Sequence, residues 1–273
     1  MSSRMKALVA AAVVAAIAAA ALLWRNQWMA PPAAPVPPPA APASAPVAVV
    51  KPPPEPAIKY PIEAAPTPRL AQADLAAALT DLLGRKAVAA FFQTDEFPRR
   101  LAATVDNLGR EHAPPALWPI NPTPERFTVD QVDGGPVIGA DNSQRYTPLV
   151  LLAETVDVGR AVDLYVRMYP LLQQAYQDLG YPKGYFNDRL VAVIDLLLAT
   201  PEVSYPVKLQ LTEVKGPIPS VRPWTRYQFA DPKLEALAAG QKILLRVGPV
   251  NERRLKAKLA EIRQQLTKSP TPR

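Results

Sequence analysis

Between residues 7 and 24 the chain is an unbroken apolar run, Ala7 to Trp24, built mostly from Ala, Val, Leu and Ile, with no Gly, Pro or charge. At 1.5 Å per residue a helix of this length spans about 27 Å, close to the roughly 30 Å hydrocarbon core of a bilayer. Arg4 and Lys6 precede the run and Arg25 follows it, a bias that favours an N-in, C-out orientation. The expectation is an uncleaved signal anchor over residues 7–24, crossing the membrane once, with residues 1–6 on the cytoplasmic side and the remainder on the far side. A cleaved signal peptide is the rival, since Ala-rich sequence offers cleavage sites. The apolar core of such a peptide is usually about 7–15 residues, shorter than this run.

Periodicity is absent from residues 25–69. Residues 31–69 hold 15 of the 34 prolines, mixed with Ala and Val. Proline removes an amide donor and fixes φ, so the stretch is predicted to be extended polyproline II, a semi-rigid spacer reaching on the order of 120 Å. It contains PxxP spacings, but any proline-dense stretch produces them.

Helical spacing begins near residue 70 and predicts one globular domain over 70–268, followed by a disordered tail, 269–273. Leu75, Leu79, Leu82 and Leu83 mark one face of a helix over 71–83, with Gly84 as its terminator. A short helix is expected at 88–92, and a third carries Leu101, Val105 and Leu108 and starts at Phe97-Pro98. Residues 111–148 are rich in loops, with a hairpin expected to turn at Gly134-Gly135 between 126–132 and 137–138. Thr147-Pro148 opens the next helix. Asp157 is expected to cap a longer one running to Leu179, kinked or divided at Pro170. Asn187 is read as the cap of a helix over 188–199. Residues 207–211 alternate with period two and predict a strand, with 224–229 as its antiparallel partner. Asp231-Pro232 opens another helical section. Asn251 is read as the cap of a last helix with Leu255, Leu259, Ile262 and Leu266 on one face. The fold class expected is therefore mainly α with a minor β part, a compact helical domain with one or two short hairpins.

Composition narrows the chemistry. No cysteine excludes disulfides, thiol catalysis, iron–sulfur clusters and a lipoprotein anchor, and one histidine, His112, cannot make a multi-histidine metal site. Neither a metal nor a cofactor is expected. The net charge of +7 invites a nucleic-acid reading. Its distribution removes that reading: residues 1–69 carry net +4, residues 70–250 net −2 and residues 251–273 net +5. The basic residues Arg253, Arg254, Lys256, Lys258 and Arg263 share the last helix and are expected to lie solvated opposite its apolar stripe.

Several local patterns recur in a known order. They are Asp106-Asn107-Leu108, residues 141–146 (DNSQRY), Leu179-Gly180-Tyr181-Pro182, residues 230–235 (ADPKLE), Gln241-Lys242, Leu244-Leu245-Arg246, Gly248-Pro249 and Asn251. Together they resemble the bacterial domain of unknown function 3014 (DUF3014). The resemblance spans most of residues 70–266 and implies a membrane-anchored envelope protein, which with the anchor means a single pass through a bacterial inner membrane and a periplasmic C-terminal domain, but no activity and no catalytic residues.

No motif supplies catalysis. A Ser–His–carboxylate triad would have to use His112, no GxSxG elbow is present, and the nucleotide-binding glycine loops are absent. His112 reads as an exposed residue at a helix end. The polar motif residues Asn107, Asn142, Arg145, Tyr181, Arg246 and Asn251 are the candidate ligand- or partner-binding set. They line one cleft suited to an anionic ligand, or they form internal bridges pinning the long loop to the helices. The expected role is non-enzymatic: an α-rich domain held in the periplasm, with the inner membrane and an envelope protein or polymer as partners. The alternative is an envelope glycan or peptidoglycan hydrolase working through paired carboxylates, which lie about 5–9.5 Å apart in such enzymes.

Overall fold

The computed structural model describes residues 57–62, 69–213 and 222–268. The anchor over 7–24, the spacer up to residue 56 and the tail over 269–273 lie outside these residues. Among the described residues no helix is long and apolar enough to cross a membrane.

The helical elements are α1 (Leu75–Leu83), α2 (Arg85–Phe91), α3 (Phe97–Leu108), α4 (Thr147–Thr155), α5 (Val158–Asp178), α6 (Phe186–Leu198), α7 (Pro232–Glu235), α8 (Ala239–Arg246) and α9 (Pro249–Leu266). Two antiparallel strand pairs complete the fold: β1 (Val129–Val132) with β2 (Gly135–Ile138), and β3 (Leu209–Leu211) with β4 (Tyr227–Phe229). A bridge between Val137 and Lys208 joins the pairs. The architecture is mainly α, as the spacing of apolar residues predicts.

Two packed centres hold the domain together. The larger lies where α3, α5, α6 and α9 meet, around Ala102, Leu172, Phe186 and Val191, none of which is exposed at all. Burying a Phe or Leu side chain fully contributes about 1.5–3 kcal/mol each, so this centre dominates stability. The smaller packs Ile138, Val207, Leu209 and Phe229 from the strands onto Leu245 of α8. Helix α8 thus joins both centres, and its start approaches α3 and α6 closely. A Cβ on Gly240 would lie 2.6 Å from Leu197 and 3.0 Å from the Leu108 carbonyl, so only glycine fits there.

Several local expectations need correction. The hairpin turns at Asp133-Gly134, whose φ values are 47° and 78°, and Gly135 is already paired in β2. Two successive positive φ angles are what a two-residue hairpin turn matching strand twist requires. Asp157 does cap α5, accepting from the Arg160 amide at 2.8 Å, and α5 runs unbroken through Pro170. Asn187 and Asn251 are not caps. Each sits inside the first turn of its helix, buried, with its side chain bonded to a distant part of the chain. The last helix packs its stripe on the core as expected, with Leu266 buried and Leu255, Leu259 and Ile262 partly buried, but its charges are not simply solvated. Arg254 meets Glu154 at 3.6 Å, and Lys256 meets Glu252 at 2.9 Å. Lys258 donates to the Val156 carbonyl at 3.2 Å, and Arg263 pairs with Asp195.

Residues 57–62, which the sequence places in the spacer, are gripped by α6. The Asp188 carboxylate accepts from the amides of Lys59 and Tyr60 at 2.9 and 2.8 Å. Asn187 donates to the Tyr60 carbonyl at 2.8 Å, and the Ile62 amide donates to the Tyr185 hydroxyl at 2.6 Å. Proline-rich backbone pairs poorly with itself, so side chains of the domain supply its partners.

A layer of tyrosines lies beneath this contact. Tyr165 meets Tyr169 edge to face, Tyr169 lies tilted against Tyr185, and Tyr176 stacks on Tyr181 with ring centres 4.6 Å apart. Burial pushes the phenols of Tyr165, Tyr169 and Tyr176 above their ordinary range, and that of Tyr205 up to about 12. In the unfolded chain these groups ionise near pH 10. Above that pH the native state therefore binds more protons than the unfolded state, and stability falls as pH rises. For Tyr205 the loss runs from about pH 10 to about pH 12. Melting temperature against pH should stay flat up to about pH 10 and then drop, with part of the phenolate absorbance appearing only on unfolding. Full phenolate titration in the folded protein near pH 10 would contradict this assignment.

Candidate functional site

Four of the six polar motif residues come together and two do not. The 3-10 segment Ala140–Arg145 lies against the end of α8 and the start of α9. There Asn142, fully buried, donates to the Arg246 carbonyl at 3.0 Å and accepts from Arg145 at 3.0 Å and from the Thr128 amide at 3.3 Å. Arg145 also donates to the carbonyls of Pro124 and Glu125, at 2.9 and 3.0 Å. Asn251 donates to the carbonyls of Ser143 at 2.8 Å and Val247 at 3.1 Å. Gly248, between α8 and α9, has φ +90°, and a Cβ there would lie 2.7 Å from Ser143. Asn107 and Tyr181 belong elsewhere. Asn107 donates back along its own helix to the Ala103 carbonyl at 2.8 Å.

Tyr181 joins a second network centred on Asp106, a buried residue of α3. Its hydroxyl donates to Asp106 at 3.2 Å and accepts from Arg110. Asp106 also pairs with Arg110 at 2.7 Å and with Arg189 at 3.0 Å. Arg189 donates further to the Asp106 carbonyl at 2.6 Å. The Asp106 carboxylate beside it holds the Arg110 guanidinium above its usual range. Both oxygens of Asp106 are bonded, so the network fastens α3 to α6 and to the Tyr181 turn.

The recess that such groups leave open is apolar. A cleft of about 870 Å³ runs between the 111–127 loop, the start of α4, Trp224 and one face of α8. Trp118, Phe127, Tyr146 and Trp224 line it, and all four are partly exposed. Of the six motif residues only Arg145 and Arg246 reach its wall. Cations lie on its aromatic surfaces: Arg126 sits 4.0 Å from the centre of the Trp224 ring, and Arg145 sits 5.3 Å from that of Tyr146. Arg246 lies 4.7 Å over Phe229 and donates to the Tyr227 carbonyl at 3.3 Å. Burial lowers its pKa, with Glu235 opposing the shift.

The carboxylates around the cleft divide sharply. Glu235 spends one oxygen on Lys242 at 3.0 Å and the other on the Phe229 amide at 2.9 Å. Glu111 stands at the rim beside His112, with side chains 84% and 79% exposed. Among the described residues no three His, Asp or Glu side chains gather into a metal site. The indole Nε1 of Trp118 is buried without a hydrogen-bond partner. An orphaned donor of this kind costs about 1–3 kcal/mol.

Fold and site together define a small helical domain with an aromatic cleft, its polar motif residues turned inward to hold the walls. The chain belongs to the family described as protein of unknown function DUF3014, whose profile matches residues 97–263, from the start of α3 into α9. No curated protein and no solved structure matched the chain. The aromatic lining escapes a reading by motif. Its members come from loops and helix faces far apart in sequence, and Trp118 and Trp224 carry no periodic signal.

Proposed function

We propose that this chain is a non-enzymatic binding protein of the bacterial envelope. Residues 7–24 anchor it in the inner membrane, the proline-rich stretch carries the domain into the periplasm, and the aromatic cleft binds an envelope protein or polymer. The observation that carries this reading is the cleft itself: about 870 Å³ of partly exposed Trp, Tyr and Phe surface with guanidinium groups at its edges. Partly exposed aromatics and arginines gathered in one recess are the composition of binding hot spots and of glycan- or peptide-stacking surfaces.

The hydrolase alternative has less to stand on. It needs one carboxyl free to give a proton and another to attack or to activate water. Of the three carboxylates that line the cleft, Glu235 is committed through both oxygens, and Glu111 and Glu125 are exposed.

Trp224→Ala tests the binding reading. Full-length protein in its own membranes, treated with a chemical crosslinker, should capture an envelope protein or glycan. The variant should capture about ten-fold less, the effect of removing a hot-spot aromatic worth about 1.4 kcal/mol or more. Its melting temperature should move by only a few degrees, because Trp224 is partly exposed in a single 3-10 turn, Pro223–Thr225. Equal capture by both proteins, or none by either, would overturn the reading.

A further inference from the structure

We propose that the aromatic cleft takes the free C-terminal end of a partner protein, with its last apolar side chain among the rings and its terminal carboxylate on Arg246. This rests on the reading of the cleft as a binding surface and names the chemistry of what it binds.

The charge that the cleft leaves uncompensated is positive. Of its carboxylates, Glu235 is held by Lys242 and the Phe229 amide, and Glu111 and Glu125 are exposed. Arg145 has its nitrogens engaged by Pro124, Glu125 and Asn142. Arg246 is different. The spacing of Ala239, Lys242, Ile243 and Arg246 puts them on one face of α8, the face that walls the cleft. The Arg246 carbonyl serves the frame by accepting from Asn142, while its guanidinium lies 4.7 Å over Phe229, a ring with no exposure. Among the described residues that guanidinium makes one hydrogen bond, at 3.3 Å to the Tyr227 carbonyl, and pairs with no carboxylate. Its other N–H groups remain available as donors. Burial lowers its pKa, and the charge of Glu235 opposes the shift without forming a pair. A partly buried cation with donors to spare gains from an incoming carboxylate, which accepts two parallel N–H···O bonds from a guanidinium. Arg126, 4.0 Å from the centre of the Trp224 ring, adds a second positive charge to the lining.

The carboxylate must arrive on an apolar body. Trp118, Phe127, Tyr146, Leu149 and Trp224 offer rings and methyl groups. The polar side chains of the frame, Asn142 and Asn251, direct their donors into the fold. A sugar would bring several hydroxyls, each needing a partner that this lining does not provide, whereas a large apolar side chain needs none. The carboxylate must also reach a guanidinium set over a buried ring, so it belongs at the tip of whatever enters. A chain terminus is such a tip, with its carboxylate on the carbon that bears the last side chain. An internal Asp or Glu would draw both flanking lengths of chain in with it. The carbonyl before the last residue needs a donor, and the indole Nε1 of Trp118 in the cleft wall has no partner. A recess of about 870 Å³ falls within the usual range of ligand pockets, roughly 300–1,000 Å³, and suits the last residues of a chain rather than a folded element.

Fluorescence polarisation with the full-length protein in lipid nanodiscs tests this. The probe is a fluorescein-labelled peptide, Gly-Ser-Gly-Leu-Phe, made with a free C-terminus and, separately, with a carboxamide. The free acid should bind about ten-fold more tightly, the effect of one charge-assisted pair. Arg246→Met should remove that preference and leave the acid as weak as the amide, and Arg246→Lys should restore part of it. An Arg246 with a structural role alone would weaken both forms alike, which would overturn it as the holder of the carboxylate. Trp224→Ala should weaken both forms by a similar factor, because ring contact does not depend on the charge. Equal binding of acid and amide by the unaltered protein would overturn the carboxylate and leave the cleft a binding surface. A preference kept in Arg246→Met would overturn Arg246 as its partner. Binding of fluorescein-labelled chitotetraose but of neither peptide would overturn the protein terminus in favour of a glycan. Binding of none of the three would overturn the proposal, and crosslinking with Trp224→Ala would still decide the binding reading by itself.

Discussion

Replacing Asp106 with alanine should destabilise the domain by about 3–5 kcal/mol, the usual result of removing one partner from a buried charge network. The side chain is 8% exposed and receives Arg189 at 3.0 Å, Arg110 at 2.7 Å and the Tyr181 hydroxyl at 3.2 Å. The Arg110 pair adds little by itself, since that side chain is 51% exposed and water screens it. Arg189 decides the outcome. It is 28% exposed and loses its counter-ion between α3 and α6, retaining only the Asp106 carbonyl. For a domain of this size the loss corresponds to a fall in melting temperature of roughly 6–20 °C. Asp106→Asn should fall about half as far, because the amide oxygen still accepts one hydrogen bond but carries no charge. Thermal melts of the full chain followed by circular dichroism measure both. A melting temperature unchanged in Asp106→Ala would mean that the network does not hold α3 to α6.

Asn142→Ala should cost about 2–4 kcal/mol, through the loss of three hydrogen bonds, one of them to a charged group. Its bonds tie three separate parts of the cleft's frame together. It meets the Arg246 carbonyl at the end of α8, the Thr128 amide before β1, and Arg145, which in turn holds the carbonyls of residues 124 and 125. Asn142→Asp should also destabilise, for a different reason. The oxygen facing Arg145 improves as an acceptor, but a second oxygen now opposes the Arg246 carbonyl where an N–H stood. Urea unfolding should show lower midpoints for both variants with an unchanged slope, the signature of lost stability without a change in the surface exposed.

The helices were legible because their evidence is local. A leucine stripe at helical spacing, Asp157 before Val158 and a glycine after Leu179 each state a boundary within a few residues. The same local logic misread Asn187 and Asn251. An asparagine near a helix start is most economically a cap, and nothing nearby distinguishes a capping amide from one that reaches across the fold. In this chain Asn187 meets Tyr60, and Asn251 meets Ser143. Those contacts span more than a hundred residues and exist only after the helices pack. The hairpin turn was misplaced by one residue for a related reason. Asp133 tolerates the left-handed region well enough to take the first turn position, which freed Gly135 to enter the strand.

The candidate site was half legible. Five of the six polar motif residues enter two separate networks, and the sequence could not say which belong together. Asn107 and Tyr181 sit beside Asp106, whereas Asn142, Arg145, Arg246 and Asn251 frame the other end of α8. The basic residues of α9 were also ambiguous. A run of Arg and Lys opposite an apolar stripe usually points to water, whereas in this domain Glu154, Glu252 and Asp195 stand within reach of it. The aromatic cleft left no trace in the pattern, because its walls assemble from the 111–127 loop, α4, Trp224 and α8 only in three dimensions.

The central claim is a division of labour: Asn142, Arg145, Arg246 and Asn251 hold the frame of the cleft, and the aromatic residues of its lining bind. Arg145 tests it most directly, because it touches the cleft and also pins the loop. Three of its nitrogens donate to Pro124, Glu125 and Asn142. The melting temperature of Arg145→Ala should fall by roughly 4–12 °C, as expected for about 2–3 kcal/mol of lost bonding in a domain of this size. An unchanged melting temperature together with lost crosslinking to the cleft's occupant would contradict the account and make Arg145 part of a ligand site.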